Sequence, residues 1–218
     1  MSLQIAVVHE AAADFQTATE LADRAMCAAI SWLDEELLGY ERTWLDQSGR
    51  GKPLTWKGIK QLALEAGITA WGHFANEPAL PDAAAARRAI VFLRNEYPEL
   101  RAIVLVRDRD DQPERRGGLE QARRDNRTHV IIVVVDPRFQ SDELTASKND
   151  QAKRSPKRVL AALTGGDHDR ERRCWRETPL GTLRDRGKHN GLADYLEEVE
   201  RRLVPLISGH NTHDSSSI

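Results

Sequence analysis

Cysteine, long apolar runs and an N-terminal targeting segment are scarce or missing in this 218-residue sequence. The two cysteines, Cys27 and Cys174, lie far apart and have no CxxC neighbour, which excludes a disulfide framework and a cysteine-rich zinc site. No apolar run approaches the roughly 20 residues that a membrane-spanning helix needs. The first residues, MSLQIAVVHE, lack the basic and long apolar regions of a signal peptide. We therefore expect a cytoplasmic protein with reduced thiols and no membrane association.

Several motifs with a known chemical mechanism are also missing. The sequence has no GxSxG nucleophile motif and no GxxxxGK[ST] phosphate loop, so we expect no ATP binding through a Walker site. His9, His73, His129, His168 and His189 show no metal-ligand spacing. The formal net charge is −2, so any surface that binds nucleic acid must be a local concentration of basic residues.

Three short apolar runs predict the strands of a central sheet. They are Leu3–Val8, Arg101–Val106 and His129–Val135. Each run is too short for a helix, and its hydrophobicity is continuous rather than alternating, which is typical of a strand covered on both faces. Segments with helical spacing alternate with these runs. The alternation predicts an α/β fold of Rossmann-like type, with a mainly parallel central sheet and helices on both faces.

Helical periodicity marks the segments between and after the strands. In the first of them Asp14 is a candidate N-cap. The stretch from about Gly39 to Pro81 holds three of the five tryptophans, and we interpret it as a helical insertion packed over one end of the sheet. We expect one domain over residues 1–207, with this insertion at about 39–81, and a disordered tail over 208–218. The predicted helices are Asp14–Leu38, Trp56–Ala66, Asp82–Tyr97, Leu119–Arg124, Ser155–Leu163 and Leu192–Ile207.

Acidic residues follow each of the predicted strands. Glu10 follows the first, Asp108, Asp110 and Asp111 follow the second, and Asp136 follows the third. The carboxyl ends of parallel strands meet at one edge of a sheet, where α/β proteins bind ligands. Several carboxylates in one crevice repel each other, and a hard divalent cation such as Mg²⁺ or Mn²⁺ removes that penalty. We predict that Glu10, Asp108, Asp110 and Asp111 bind this metal, which can activate water against a phosphodiester.

Three residues near these acids are weaker candidates. Asp14 has the position of a helix cap, and Asp136, which precedes Pro137, has that of a turn former. His9 lies one residue before Glu10, where it can assist proton transfer. A buried histidine with satisfied hydrogen bonds, or an exposed one, explains His9 equally well.

The order of these features resembles the Toprim domain of topoisomerases, primases and overcoming-lysogenization-defect (OLD) nucleases. The matching segments are IAVVHE at residues 5–10 and IVLVRDRD at residues 103–110. More narrowly, the chain resembles stand-alone Toprim-like proteins of bacterial defence loci in its segments SPKRVLAALTGGD, CWRETPL and GLADYLEEV. The resemblance implies that Glu10 is the general acid/base, that Asp108 and Asp110 hold Mg²⁺, and that an ABC-type or AAA ATPase is the partner in anti-phage defence.

Two departures from that pattern keep a second interpretation open. Ala11 stands where Toprim domains usually have glycine, and after Val135 the chain lacks the Glu-Ala-Trp-like segment of the narrower group. The alternative is a catalytically degenerate Toprim-like adaptor that binds a partner ATPase or nucleic acid. A phosphoryl-transfer enzyme acting on small molecules is a third interpretation, and self-association is left open.

An arginine-rich segment beside the acidic pair predicts binding to nucleic acid. Basic side chains next to a metal site suit a phosphate backbone, and we assign this role to Arg107, Arg109, Arg115, Arg116 and Lys157. A solvated loop, in which Arg107 and Arg109 only pair with the neighbouring acids, has the same composition. Our main prediction is a metal-dependent nuclease acting on DNA or RNA, the effector of an ATPase-associated anti-phage system.

Overall fold

The computed structural model describes residues 2–49, 51–69, 73–74, 77–107, 112, 114–126, 129–135, 176–186 and 191–210, with 73, 74, 135, 186 and 210 in backbone only. In this part of the chain no helix is both long and apolar enough to cross a membrane. In chain order the elements are β1 (Leu3–Val8), α1 (Ala12–Ala29), α2 (Glu35–Glu41), β2 (Arg42–Leu45), α3 (Trp56–Glu65), β3 (His73–Phe74), β4 (Glu77–Pro78), α4 (Ala83–Glu96), β5 (Leu100–Arg107), α5 (Arg115–Arg124), β6 (Val130–Val135), α6 (Leu180–Arg186), α7 (Leu192–Arg202) and α8 (Val204–His210).

The central sheet, over the described residues, has four parallel strands in the order β2-β1-β5-β6. Val8 of β1 lies beside Leu105 of β5, and Arg107 of β5 lies beside Val135 of β6. The chain passes from β1 to β2 on one side and later to β5 on the other, so the strand order reverses between β1 and β5. At such a switch point the loops after the two strands diverge, and a crevice opens at their carboxyl ends.

Two apolar layers cover the two faces of the sheet. Ile5 and Val7 of β1 pack with α1 and α7, whereas Ala6 and Val8 pack with α3, α4 and α5. The β1–α1–β2 and β5–α5–β6 units lead in opposite directions across the sheet. Because such crossovers are right-handed, their helices must lie on opposite faces. The predicted α/β fold with helices on both faces is confirmed.

Two long helices of the prediction are each interrupted in the structure. The helix predicted over Asp14–Leu38 ends at Ala29, and Asp34 starts a new helix by accepting the backbone N–H of Leu37 at 2.8 Å. The helix predicted over Leu192–Ile207 divides at Leu203 into α7 and α8. Pro205 explains this second break, since proline removes a helical hydrogen bond and its ring clashes with the preceding turn.

The predicted N-cap role of Asp14 is wrong. Helix α1 begins at Ala12, so Asp14 is its third residue, and the Asp14 carboxylate accepts the backbone N–H of Ala11 at 2.8 Å. An acid at this position can satisfy the first free N–H groups of a helix from within the first turn. Asp14 exposes only 3% of its surface in this role.

The segment interpreted as an insertion contributes elements to the main layers. Arg42–Leu45 is edge strand β2, aligned with Leu3–Ala6 of β1, and helix α3 packs on one face of the sheet. Ser48 and Lys52 close the turn between them, with the Ser48 N–H donating to the Lys52 carbonyl at 2.7 Å. Among the described residues of this segment, the short pair β3 and β4 forms a separate sheet. The predicted Ser155–Leu163 helix lies outside the described residues. So do residues 211–218 of the predicted 208–218 tail.

An ion pair attaches β2 to α1 at the amino ends of the strands. The Arg42 guanidinium donates to the Asp23 carboxylate through Nε at 2.9 Å and Nη2 at 2.6 Å. The indole N–H of Trp44 donates to Asp23 at 2.9 Å, and the Arg42 guanidinium lies 5.7 Å from the Trp44 ring centroid. Asp23 therefore holds both polar groups of the edge strand.

Replacing Asp23 by asparagine is expected to lower the free energy of unfolding by about 1–3 kcal/mol, because it leaves the half-buried guanidinium of Arg42 without its counter-charge. Urea denaturation measures the change. The matched control is Glu65→Gln, since Glu65 pairs with Lys52 where both side chains are 39% exposed, and such pairs contribute at most about 1 kcal/mol. Equal losses in the two variants would contradict this role of Asp23.

Candidate functional site at the carboxyl ends of β1 and β5

Glu10 and Arg107 meet where β1 and β5 end. The Oε1 atom of Glu10 lies 2.9 Å from Nη1 of Arg107, the last residue of β5. The alignment of Val8 with Leu105 explains this contact, because Glu10 and Arg107 each follow two residues later. Asp108 is the next residue in the sequence. β1 and β5 are thus the adjacent, parallel strands that a shared site at Glu10 and Asp108 requires.

Arg107 is bound to a second carboxylate, that of Asp82. Nε of Arg107 donates to Oδ2 of Asp82 at 3.1 Å, and Nη2 donates to Oδ1 at 3.3 Å. Arg115, which begins α5, places Nε 3.3 Å from Oδ2 of Asp82 and Nη1 4.0 Å from Oε1 of Glu10. We call Glu10, Asp82, Arg107 and Arg115 the ion cluster. Its two carboxylates balance its two guanidinium groups.

Asp82 has an unusual backbone. Its φ of 65° lies in the left-handed region, and no other non-glycine residue of the described chain has a positive φ. Asp82 occupies the N-cap position of α4, yet its side chain makes no capping hydrogen bond. Aspartate at this position usually caps the helix, at a gain of about 1 kcal/mol, and the left-handed conformation costs on the order of 1 kcal/mol. Asp82 instead gives its carboxylate to the two arginines.

Trp56 covers one side of the Arg107 guanidinium. The guanidinium carbon lies 5.3 Å from the Trp56 ring centroid, a cation–π distance. The Trp56 indole N–H donates to the Val106 carbonyl at 2.7 Å, which fixes the ring against β5. Its backbone N–H donates to the His9 carbonyl at 3.0 Å. The start of α3 is therefore attached to both strands that form the crevice.

Helix α5 lies directly against the segment that carries Asp82. A Cβ atom added at Gly118 would come within 1.8 Å of the Pro81 carbonyl oxygen. The Gln121 side chain accepts the Leu80 N–H at 2.9 Å and donates to the Pro78 carbonyl at 3.3 Å. This close packing holds Arg115 of α5 next to Asp82.

His9 has the contacts of a buried neutral histidine. The residue is 4% exposed, and its Nδ1 donates to the Ala11 carbonyl at 2.9 Å. Within the described residues Nε2 has no hydrogen-bond partner. Burial lowers the pKa of His9, while the Ala11 carbonyl and Asp14 oppose this shift. These contacts favour a structural role, and proton transfer by His9 stays a prediction.

The remaining predicted site residues divide into two groups. Arg116 pairs with Glu120 of α5 at 3.1 Å and with Asp194 of α7. Both of these acids lie outside the ion cluster. The others lie outside the described residues: Asp108, Arg109, Asp110, Asp111, Asp136 and Lys157.

Sequence reasoning missed Asp82 and Trp56 as members of this site. Asp82 carries the pattern of an ordinary helix start, and Trp56 lies in the segment interpreted as an insertion. Asp82 contacts Arg107 across 25 residues of sequence, and Trp56 donates to the Val106 carbonyl across 50. No local sequence pattern predicts contacts between residues so far apart.

The described side chains do not by themselves form a metal site. Among them no three His, Cys, Asp or Glu residues come close enough to hold one cation. The carboxylate oxygens of Glu10 and Asp82 are hard donors of the type that Mg²⁺ and Mn²⁺ prefer, but both face guanidinium groups. Glu10 fits as a ligand once Arg107 has another acceptor, and the other predicted ligands belong to residues 108–111.

Comparison with protein-family models, with curated proteins and with solved structures gives no match to this chain. The resemblance to Toprim domains therefore stays a prediction that depends on the quoted segments.

Proposed function

We propose that this chain is a divalent-metal-dependent phosphodiester hydrolase acting on DNA or RNA. Glu10 is its general acid/base, and Asp108 and Asp110 are its main metal ligands. One observation carries the proposal: β1 and β5 are parallel neighbours at the switch point of the sheet, and Glu10 contacts Arg107, the residue before Asp108. When bound, Mg²⁺ or Mn²⁺ supplies a Lewis acid and an activated water.

The charge balance of the crevice supports a divalent cation. The ion cluster is neutral, with two carboxylates and two guanidinium groups. Residues 108–111 add three carboxylates and one guanidinium, a net charge of −2. Carboxylates gathered at one strand end resist ionising together unless a cation offsets them. One Mg²⁺ or Mn²⁺ matches this excess.

The arginines of the ion cluster suit the phosphate of a substrate. Arg107 and Arg115 are largely buried at the end of β5 and the start of α5, with 19% and 12% of their side chains exposed. Guanidinium groups bind phosphate oxygens through short, charge-assisted hydrogen bonds, and their strength rises as water is excluded. In the proposed enzyme these two residues bind the scissile phosphate. Arg109 and Lys157 remain candidates for contacts farther along the strand.

A catalytically degenerate adaptor is the second candidate, and one contact favours it. Oε1 of Glu10 already lies 2.9 Å from Arg107 and 4.0 Å from Arg115, a surrounding that weakens a general base. In this candidate the ion cluster only holds β1, β5, α4 and α5 together. An ABC-type or AAA ATPase partner and a role in anti-phage defence accompany either candidate, and they are implied by the resemblance alone.

Nucleic-acid degradation by the purified full chain separates these functions. Plasmid DNA, single-stranded DNA and RNA are each incubated with Mg²⁺, Mn²⁺, Ca²⁺ or EDTA. The nuclease cleaves at least one polymer with Mg²⁺ or Mn²⁺ and none with EDTA. The adaptor cleaves none with any cation, yet still binds nucleic acid or the ATPase. If the chain hydrolyses a small phosphodiester as fast as a polymer, the result favours the interpretation as a phosphoryl-transfer enzyme acting on small molecules.

A further inference from the structure

Helix α2 and the turn before it concentrate the exposed apolar side chains of the described chain. Of the five large apolar residues that are exposed there, three lie in this segment: Trp32, Leu37 and Tyr40, with 41%, 42% and 75% of their surface exposed. Leu37 and Tyr40 are three residues apart on α2, so their side chains are neighbours on the helix surface. Single exposed apolar residues are common, but a group of them indicates an interaction surface.

The packing of α2 does not use these three side chains. Leu33 and Leu38 are buried and attach the segment to the apolar layer that α1 and α7 cover. The Asp34 carboxylate caps the first turn of α2. Trp32, Leu37 and Tyr40 are therefore available to a partner.

The same segment is acidic. Residues 31–41 contain Asp34, Glu35, Glu36 and Glu41 and no basic residue. None of these four carboxylates makes an ion pair with a residue of the described chain, and the neighbouring Arg42 is bound to Asp23. The positive end of the helix dipole accounts for the acids at the start of α2, but Glu41 is its last residue, where the dipole disfavours a carboxylate. We call the three apolar residues and the four acids the α2 surface.

The two edges of the central sheet differ in their cover. At β6, Arg116 and Arg123 of α5 pair with Asp194 and Glu198 of α7, so ion pairs join the helices of the two faces around that edge. At the other edge β2 follows α2 directly, and in the described part of the chain only β1 lies beside it. The α2 surface thus borders the more open edge.

The charges of the α2 surface determine which partner fits it. Four carboxylates repel the phosphates of nucleic acid and of anionic lipids, and they attract lysine and arginine. Exposed tryptophan and tyrosine are the residue types that contribute most to binding at protein interfaces. We propose that the α2 surface binds a basic, amphipathic segment of a partner protein, whose apolar side chains pack on Leu37 and Tyr40.

A second copy of this chain fits the α2 surface less well. Two copies joined through antiparallel β2 strands would be related by a twofold axis, which would bring their α2 helices to the same face of the joined sheet. The acidic residues of the two helices would then lie near each other, and like charges at an interface are unfavourable. Moreover, β2 has only four residues, so its edge offers few backbone hydrogen bonds.

The proposed docking is independent of the proposed function. Helix α2 leads into Arg42, which is aligned with Leu3 at the amino end of β1. The ion cluster lies at the opposite, carboxyl ends of β1 and β5. Substitutions in the α2 surface are therefore expected to leave any cleavage of nucleic acid unchanged.

Binding of model peptides to the full chain tests the inference. The first probe is a peptide of leucine and lysine in amphipathic helical spacing. Glutamate replaces every lysine in the second probe, and serine replaces every leucine in the third. Fluorescence anisotropy of the labelled peptides gives each Kd. We expect the leucine–lysine peptide to bind about tenfold tighter than either of the others, and its Kd to rise with salt concentration.

Two variants test the apolar part of the surface. Leu37→Ala and Tyr40→Ala are each expected to raise the Kd of the leucine–lysine peptide about tenfold, the loss that truncation of an important interface residue causes. Alanine favours the helix, so the fold is retained. Leu64→Ala is the matched control, because Leu64 of α3 is 55% exposed and lies outside the α2 surface. It is expected to keep the Kd within about twofold.

A pair of double variants tests the acidic part. Replacing both Glu36 and Glu41 by lysine is expected to raise the Kd of the leucine–lysine peptide at least about tenfold and to remove most of its salt dependence. The control replaces Glu99 and Glu177, which are exposed outside the α2 surface, by lysine. Both double variants change the net charge by the same amount, so attraction to the protein as a whole is lost equally in the two.

Several results would overturn the inference. They are equal binding of the three peptides, no binding of the leucine–lysine peptide, or equal losses in the α2 variants and their controls. Analytical ultracentrifugation tests the remaining occupant. A dimer that Tyr40→Ala dissociates would assign the α2 surface to a second copy of the chain and would overturn the basic partner. None of these measurements depends on whether the chain cleaves nucleic acid.

Discussion

The Glu10→Gln variant is expected to lose Mn²⁺-dependent cleavage by a factor of about 100 to 10,000, the usual contribution of a general acid/base. Glutamine has the same shape, and its amide oxygen can take the position of the Glu10 oxygen that faces Nη1 of Arg107. The variant therefore keeps the contact between β1 and β5 while losing the ability to exchange a proton. Initial rates on the preferred polymer, measured over a range of Mn²⁺ concentrations, give the size of the loss.

Asp108→Asn completes this test from the other strand. It is expected to abolish cleavage and to weaken Mn²⁺ binding, because asparagine supplies a neutral oxygen in place of a carboxylate. Glu65→Gln is the control for the loss of a glutamate charge, since Glu65 pairs with Lys52 on the exposed side of α3. Cleavage within twofold of the wild type in Glu10→Gln would remove Glu10 from the mechanism. The same result in Asp108→Asn would remove the metal site from β5.

The Gly118→Ala substitution is expected to lower the free energy of unfolding by about 3 kcal/mol, at the upper end of the cost of inserting one methyl group into a packed interface. The added Cβ would meet the Pro81 carbonyl oxygen at 1.8 Å and the Ala83 backbone nitrogen at 3.0 Å. These are backbone atoms, so α5 itself must move away from the segment before α4. Denaturation in urea, followed by circular dichroism, measures the loss.

Gly39→Ala is the matched control for this substitution. Gly39 is also helical, but nothing lies within 4 Å of an added Cβ, so alanine is expected to raise the stability by about 0.5–1 kcal/mol. Movement of α5 must also separate Arg115 from Asp82. A stability equal to that of Gly39→Ala would show that α5 is not packed against Pro81.

Local patterns predicted most of the elements that carry the site. The strand Leu3–Val8 has the predicted bounds, and helix α4 lies within the predicted Asp82–Tyr97. The sequence does not predict strand β2, because only four residues form it and its first two, Arg42 and Thr43, are polar, which leaves no apolar run. Its pairing with β1 and the contact of Arg42 with Asp23 make it a strand. Both interactions are remote in sequence.

The sequence predicts only part of the candidate site, because the contacts that complete the site join residues far apart in the chain. Glu10 was found because it directly follows an apolar run, and Arg107 because it lies next to Asp108. The sequence does not predict the ion pair between Glu10 and Arg107, because each of them has other charged residues nearer to it in the sequence. The sequence predicts Asp82 only as the start of a helix. Its pairing with Arg107 depends on where α4 begins relative to the end of β5.

The sequence by itself determined the α/β class of this protein and the acidic residues that follow its strands. Apolar continuity, helical spacing and the composition of strand ends are properties of neighbouring residues, so they can be read in order along the chain. The tertiary structure alone decided that β1 lies beside β5, that Glu10 faces a guanidinium, and that Asp82 and Trp56 hold that guanidinium. These contacts follow from strand order and helix packing, which depend on residues far apart in sequence.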